Sequence, residues 1–317
     1  MRFLSDEDVE RVVSMRDTIE AVERAFALYS TRRVQMPPRV HVPVHEHNGT
    51  ILLMPCYVPE MRVFTVKYVT VYPENPSKGL PTIYATLLAS DPSTGEPKVL
   101  TEARVLTGMR TGAATAVSIK YLAKSKEGVL GIVGCGYQAR WQLRASLEVM
   151  RVERLRLYDI ARSKAVEFAD EVSRRHGVDV EIAEDVKDLA TRSDVIVTAT
   201  TSTEPFLRAE WVKQGTHISS IGAFTPQMAE LDAKLVASAK VVVDSREAAT
   251  AEAGDIIQAV QKGLMRWEDV YAELGEIVAR IKRGRESEDE VTVFKSVGLA
   301  VQDAAVASLL LRRFGAG

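Results

Sequence analysis

The stretch that decides the fold is Val129–Asp159, VLGIVGCGYQARWQLRASLEVMRVERLRLYD. A short apolar run, Val129 to Val133, ends in Gly134-Cys135-Gly136-Tyr137-Gln138-Ala139. Trp141, Leu143, Leu147 and Met150 then recur in a helical pattern, and a second run, Leu155 to Tyr158, stops at Asp159. The order is strand, glycine turn, helix, strand, acid, and each part suits the holding of a dinucleotide. Gly134 permits a tight turn. Gly136 has no Cβ, so backbone can approach a pyrophosphate, and Ala139 is small enough for the helix to pack close to the strand. The open N–H groups at the helix start, with the positive end of the helix dipole, suit the phosphates. Asp159 falls about 20 residues past the turn, where a carboxylate accepts from a ribose 2′-hydroxyl. An ordinary strand–helix–strand unit with a Gly-rich turn would have no need of that acid.

The rhythm continues downstream. Helices are predicted over 163–175 and 186–191, and strands over 178–182, 194–200, 216–221 and 241–244. Strands alternating with helices imply a parallel sheet with right-handed crossovers. Ligands then bind at the carboxyl ends of the strands, which here carry Gly134, Asp159, the polar pair Thr200-Thr201, and Gly222.

Upstream the pattern differs. Ser5-Asp-Glu-Asp8 and Ser14-Met-Arg-Asp17 both match capping boxes, so residues 5–33 read as two helices. Pro37-Pro38 stops helix. From Arg39 to Pro97 the period is two, with a hairpin signal at Asn48-Gly49 and a long strand over 62–72 that puts Val63, Thr65, Lys67, Val69 and Val71 on one face. An antiparallel sheet is expected there, followed by a helix over 102–122 rich in small residues and a tail helix over 294–314 that packs back on this first domain. The predicted fold class is α/β: a Rossmann-type parallel-sheet domain at 116–292, and an α+β antiparallel-sheet domain made from 1–115 and 293–317.

The totals exclude several classes. The 317 residues suffice for two domains; 46% are hydrophobic and 26% charged, as in a soluble globular protein. A formal net charge of −2 gives no reason to expect nucleic acid or an anionic membrane as partner. His41, His45 and His47 lack the companions of a zinc motif, so no metal is expected. Cys56 and Cys135 sit in apolar or glycine surroundings and read as buried free thiols. With no secretion leader and no long apolar run, the expected location is the cytoplasm.

Three cations stand in unusual places. Lys67 lies on an otherwise apolar strand face, Arg110 interrupts the small-residue helix, and Arg39 follows the double proline. A cation facing a core is costly unless paired. One reading is a pocket for a carboxylate substrate, gripped by arginine. The other is a set of structural ion pairs with Glu102, Glu74 or Asp91.

With these residues goes a set of spaced motifs: Pro38-Arg39, Met54-Pro55, Lys67, Tyr72-Pro-Glu-Asn-Pro76, Gly79-Leu-Pro-Thr82, Glu102-Ala-Arg104 and Leu106-Thr-Gly-Met-Arg110-Thr111. The glycine turn, Glu230-Leu-Asp232, Glu247-Ala-Ala249, Leu274-Gly-Glu276 and Phe294-Lys295-Ser296 follow. Over nearly its full length the chain resembles the ornithine cyclodeaminase/μ-crystallin family. The resemblance implies an NAD(P)-dependent enzyme of amino and imino acids, a homodimer, with a substrate-binding and dimerisation domain beside the Rossmann domain. It implies that Arg39, Lys67 and Arg110 hold the substrate carboxylate, with Lys67 also exchanging a proton at the reacting nitrogen. It further implies that Thr82, Arg110, Thr111, Tyr137, Gln138 and Ser296 help place the cofactor, with Asp159 on the adenosine ribose. Cyclodeaminases carry a catalytic aspartate just after the glycine at 222, and Phe224 stands there instead. The expected activity is therefore reduction of imino acids of the ketimine or pyrroline-2-carboxylate type, or reversible oxidation of an L-amino acid such as alanine. The alternatives are an ornithine cyclodeaminase and a non-catalytic, μ-crystallin-like binder. NAD is expected, since Asp159 repels a 2′-phosphate; Arg162 and Lys164 nearby keep NADP as the second choice.

Overall fold

A computed structural model describes residues 1–314. The chain divides into two compact units, Met1–Arg110 with the chain from Leu299 onward, and Thr111–Gly298.

The first unit opens with β1 (Arg2–Leu4), α1 (Asp6–Val12) and α2 (Met15–Ser30). Ser5 and Asp8 form the expected reciprocal capping box, and Ser14 Oγ accepts from the Asp17 N–H as an N-cap without the return bond. The sheet follows as β2 (Val40–Val44), β3 (Gly49–Val58), β4 (Val63–Val71), β5 (Ile83–Ser90) and β6 (Pro97–Glu102), in spatial order β1-β6-β5-β4-β3-β2. Strands β2 to β6 pair antiparallel. The antiparallel sheet expected from the period of two is present, and β1, which the sequence reading did not predict, joins its edge parallel to β6. Three residues are too few to carry a periodic signal.

Along β4, Val63, Thr65, Lys67 and Val69 are buried while Phe64 and Tyr68 are exposed, the alternation that the pleat dictates. In register, Lys67 sits between Met54 of β3 and Leu87 of β5, both buried. Helix α3 (Arg104–Leu122) leaves the sheet, and the boundary between the units falls within it.

The second unit begins with β7 (Glu127–Val133), α4 (Tyr137–Leu147), β8 (Arg151–Tyr158), α5 (Arg162–His176) and β9 (Val180–Ile182). It continues through α6 (Val186–Arg192), β10 (Val195–Thr198), β11 (His217–Ser220), α7 (Ala233–Ser238) and β12 (Lys240–Val243). Last come α8 (Arg246–Glu252), α9 (Gly254–Gln261), β13 (Ala272–Glu273), α10 (Leu274–Val278) and β14 (Thr292–Lys295). The eight strands order as β13-β12-β14-β11-β10-β7-β8-β9 and pair parallel throughout. Strand order reverses between β7 and β10, the switch point at which such sheets leave a crevice.

Helix α11 (Ala300–Phe314) returns the chain to the first unit, where it packs on α2, β3 and β4. Phe294, predicted to start the tail helix, lies instead in β14, wedged between β11 and β12. The return to the first unit therefore comes at Leu299 rather than 293, and the departure at Thr111 rather than 116. Four residues buried on both faces look alike as strand or helix in sequence. Among the described residues no helix is long and apolar enough to cross a membrane.

One core residue couples this fold to pH. His217 on β11 is fully buried, with Nε2 2.9 Å from Ser118 Oγ and Nδ1 2.9 Å from Thr292 Oγ1. Burial, reinforced by the charges of Arg285 and Lys126, pulls its pKa from 6.5 to about 3. The native imidazole is thus neutral where an unfolded one takes a proton. Its contribution is complete above the unfolded pKa and is lost as pH falls from there toward the folded value, at up to about 1.4 kcal/mol per pH unit. Denaturant melts between pH 6.5 and pH 4 should show this slope, and His217→Gln should flatten it by up to one proton's worth. An unchanged slope in that variant would place the acid sensitivity elsewhere.

Candidate active site

In the first unit three elements bring charge together. Lys67 of β4 is 2% exposed and its Nζ lies 2.7 Å from Asp303 Oδ2 in the first turn of α11. Arg110, at the middle of α3, points Nε at Asp303 Oδ1 at 3.2 Å and donates from its guanidinium to Gln302 Oε1 at 2.9 Å. Gln302 Oε1 also accepts from the Leu299 N–H, which ties the start of α11 to the same cluster. The contacts to Asp303 are charge contacts rather than well-aligned hydrogen bonds: neither of its oxygens has a hydrogen-bond partner of good geometry, and neither does Arg110 Nε. Gln302 Nε2 is likewise buried without a partner.

Burial drives the Lys67 ammonium down from 10.5 to about 8; Asp303 pulls it upward, while Arg110 and Arg39 push it further down. A lysine so tuned can both give and take a proton near neutral pH. Cys56, on the neighbouring strand, is a different case. Burial first, and then the Asp303 charge, raise its thiol to about 12, which leaves it an inert packing group. Of the three predicted cations, Lys67 and Arg110 converge on one carboxylate, and Arg39 is close enough to act on Lys67 through its charge. The acidic partners considered from sequence are not used here: Glu102 accepts from the Asp6 N–H, Glu74 from Asn48, and Asp91 from Ser93. Thr82 lies in the same unit, half-buried just before β5.

In the second unit the predicted dinucleotide residues fall at the carboxyl ends of adjacent strands. Gly134, after β7, has φ +92°, and its N–H donates to Tyr158 O of β8 at 2.8 Å. Gly136 caps α4 with no side-chain bond at that helix start, and a Cβ placed on it would meet nothing within 4 Å. Open N–H groups at a helix N-terminus, bare of side chains, are what a pyrophosphate requires. Gln138 Oε1 in the first turn is buried without a hydrogen-bond partner, while Tyr137 is half-buried and Ala139 packs into the core. Asp159, after β8, accepts from the Cys135 N–H at 2.8 Å and the Ala161 N–H at 2.9 Å, one on each oxygen. A carboxylate retains further acceptor sites after two such bonds. These residues fit an NAD molecule.

The loops after β10 and β11 are tied together by a residue to which sequence reasoning gave no role. Glu230 is fully buried; Oε1 accepts from the Thr200 N–H and Oγ1, and Oε2 from Thr198 Oγ1, Ser220 Oγ and the Gly222 N–H. Asp255 accepts from the N–H groups of Glu230 and Leu231, and Lys295 Nζ lies 2.7 Å from Asp255 Oδ2. Lys295 also donates to Ser220 Oγ. Thr200 and Ser296, both expected at the cofactor, donate their hydroxyl hydrogens inward, Thr200 to Glu230 and Ser296 to Asp244 Oδ2 at 2.8 Å. Thr201 is exposed in the loop, Gly222 offers its N–H to Glu230, and Thr111 is buried in α3. Glu230 interrupts the apolar run Met228-Ala229-Glu230-Leu231, a signal of the same kind that marked Lys67. Among the described residues no group of three His, Cys, Asp or Glu could hold a metal ion.

A family model described as the ornithine cyclodeaminase/mu-crystallin family matches residues 1–316. Alanine dehydrogenase of Archaeoglobus fulgidus is 42% identical over 309 residues, 97% of this chain and 93% of that protein. The structure of Thermococcus litoralis Δ1-pyrroline-2-carboxylate reductase in complex with NADH and L-proline superposes with a TM-score of 0.95 at 43% identity, covering 99% of this chain and 97% of that one. An archaeal alanine dehydrogenase dimer with bound NAD superposes at 0.92 with 40% identity, covering 98% and 94%.

Glu230→Ala would take the acceptor from the Thr198 and Thr200 hydroxyls and from the Thr200 and Gly222 N–H groups, while Ser220 Oγ keeps Asp255 Oδ2. The expected outcome is a loss of about 3–5 kcal/mol in stability, together with dinucleotide affinity weakened by about tenfold or more. Thermal melts and a fluorescence titration with NADH measure both. Unaltered NADH affinity in a folded variant would confine Glu230 to a structural role.

Proposed function

Since this chain belongs to the ornithine cyclodeaminase/mu-crystallin family, we propose that it is an NAD-dependent oxidoreductase of small imino and amino acids. It reduces imines of the pyrroline-2-carboxylate or ketimine type, or runs in reverse as a dehydrogenase of an L-amino acid such as alanine. The observation that carries this reading is the buried pair Lys67 and Arg110, two cations on one carboxylate in the first unit. The relatives support it: one is a reductase captured with NADH and L-proline, another an alanine dehydrogenase with NAD.

Arg39 and Arg110 grip the substrate carboxylate and so orient the imine carbon. When bound at the glycine turn and Asp159, NADH would supply the hydride that this carbon requires. The Lys67 ammonium supplies the proton to nitrogen, so the C=N bond becomes CH–NH and Lys67 is left neutral until it takes a proton from water. In the reverse direction neutral Lys67 accepts that proton. NAD is preferred over NADP because the Asp159 carboxylate repels a 2′-phosphate; exposed Arg162 and Lys164 lie close in sequence and oppose that preference. Phe224 stands where cyclodeaminases carry their aspartate, and a phenyl ring accepts no proton, so the redox-neutral cyclodeaminase chemistry is disfavoured.

The chain works as a homodimer through the outer face of the six-stranded sheet. Val40 and Val42 of β2, Phe64 and Tyr68 of β4 and Tyr84 of β5 are exposed on that face, with Ile51, Leu53, Val66 and Leu88 half-buried among them. An apolar surface of this extent marks an interface. A second copy is the occupant because the archaeal alanine dehydrogenase that superposes over 98% of this chain is a dimer.

A panel of cyclic imino acids, and of 2-oxo acids with ammonia or methylamine, scored by oxidation of NADH and NADPH, tests the activity. Net oxidation of NADH by at least one imino acid is expected. Ammonia release from ornithine with no net change in NADH would favour the cyclodeaminase, and no turnover by a folded, NADH-binding protein would end the enzyme reading. Lys67→Ala should abolish turnover and leave NADH affinity within about threefold of wild type; equal loss of both would make Lys67 structural. Tyr68→Glu should convert a dimer to a monomer in sedimentation, and a persisting dimer would move the interface elsewhere.

A further inference from the structure

We propose that Asp303 is a positioning residue of this reaction: its carboxylate holds Lys67 in the protonated, proton-giving form and fixes Lys67 and Arg110 as one unit. The proposal rests on the reading of Lys67 as the proton donor. Its geometry is that of one carboxylate serving two cations from two other elements. Asp303 comes from α11, 1% exposed; Lys67 from β4, 2.7 Å away; and Arg110 from α3, 3.2 Å away. Of the charged side chains that act most strongly on Lys67, Asp303 is negative and Arg110 and Arg39 are positive.

The groups around the pair explain why the carboxylate matters. From α3 comes Arg110, from the segment before β2 Arg39, and both are positive. From β3 comes Cys56, neutral because burial and Asp303 raise its thiol. From α11 itself comes Gln302, neutral, with its oxygen turned to Arg110. Against two arginines and complete burial, Asp303 is the group that keeps a proton on Lys67 near neutral pH. Its place in the first turn of α11 adds the helix dipole to what holds the carboxylate charge. The same carboxylate aims the guanidinium of Arg110 through Nε and Gln302 takes Nη1, which turns Nη2 to the substrate acid. Asp303 touches no reacting atom; it acts through Lys67 and Arg110.

The test is the pH profile of imino-acid reduction by NADH in wild type and in Asp303→Asn, with folding checked by thermal melting and NADH titration. In wild type kcat/KM falls at high pH as Lys67 loses its proton. Removing a negative charge in contact should move that basic limb toward acid by about 1–3 units, because an opposite charge at this range stabilises the charged form by that amount. At pH 8 reductive kcat should fall about tenfold or more, with the KM for NADH unchanged. The acid limb of amino-acid oxidation should move the same way, so the variant loses less in oxidation than in reduction at pH 7. Asp303→Glu, which keeps the charge, should retain a limb near the wild-type position. A profile for Asp303→Asn that is scaled down but unshifted would overturn the proposal.

A second measurement needs no substrate. In a double-mutant cycle on stability, Lys67→Met/Asp303→Asn should be more stable than the sum of the two single losses, since removing both buried charges avoids leaving one unpaired. Additive losses would overturn the pairing. If wild type turns over no imino acid, the reductase reading fails while this cycle still decides whether Asp303 and Lys67 act as a unit. If Asp303→Asn does not fold, rescue by the added Lys67→Met supports the pairing, and absence of rescue overturns it.

Discussion

A lysine ammonium fully removed from water needs an opposite charge in contact, and in this protein that requirement is met by a residue more than 200 positions further along the chain. Lys67 lies on the inner face of the central strand β4, between Met54 and Leu87, where nothing local can neutralise it. The neutralising group is Asp303, near the start of α11. The chain leaves the first unit inside α3, builds an entire parallel-sheet domain, and returns at Leu299. The first turn of the returning helix carries the carboxylate, and the segment that leaves carries Arg110, so two charges of the cluster sit at the two ends of the excursion.

This arrangement makes the site a balance of opposing terms. Burial alone would strip the proton from Lys67, and two arginines push the same way. One carboxylate opposes all three. The outcome is a lysine that titrates near neutrality, which suits a group that must give a proton in one direction of a reversible reaction and take it in the other. The cost of such a buried triad is large desolvation, and the return is registry: three elements are held at fixed positions relative to one another by groups that tolerate no slip.

The second unit uses the same device for a different end. Glu230, Asp255 and Lys295 form a buried polar knot that pins the ends of β10 and β11 to each other. Loops at the carboxyl ends of parallel strands have no ladder to hold them, so their geometry must come from side chains. Glu230 accepts five hydrogen bonds from residues on both loops and thereby sets where Thr200 and Gly222 lie. Thr200 and Ser296 carry hydroxyls of the sort that would suit a cofactor, yet each turns inward to a buried acid. Residue type alone does not distinguish a ligand-facing hydroxyl from one that braces the loop.

The local chemistry of the chain was sufficient for the glycine turn of the parallel domain, for both N-caps, and for the placement of Lys67 on an inward face, because each depends on neighbours within a few residues or on a period of two or 3.6. It also supplied the cations: a lysine on an apolar strand and an arginine in a small-residue helix are anomalous wherever the chain folds. What the tertiary structure decided was their partners. Asp303 and Glu230 are acids within apolar runs, and sequence marks such residues as needing a counter-group without saying which one. The short strands β1 and β14 also waited for the fold, since three or four residues carry too little pattern to separate strand from helix. Pairings between residues more than 200 positions apart follow from topology, and no local property of either partner encodes them.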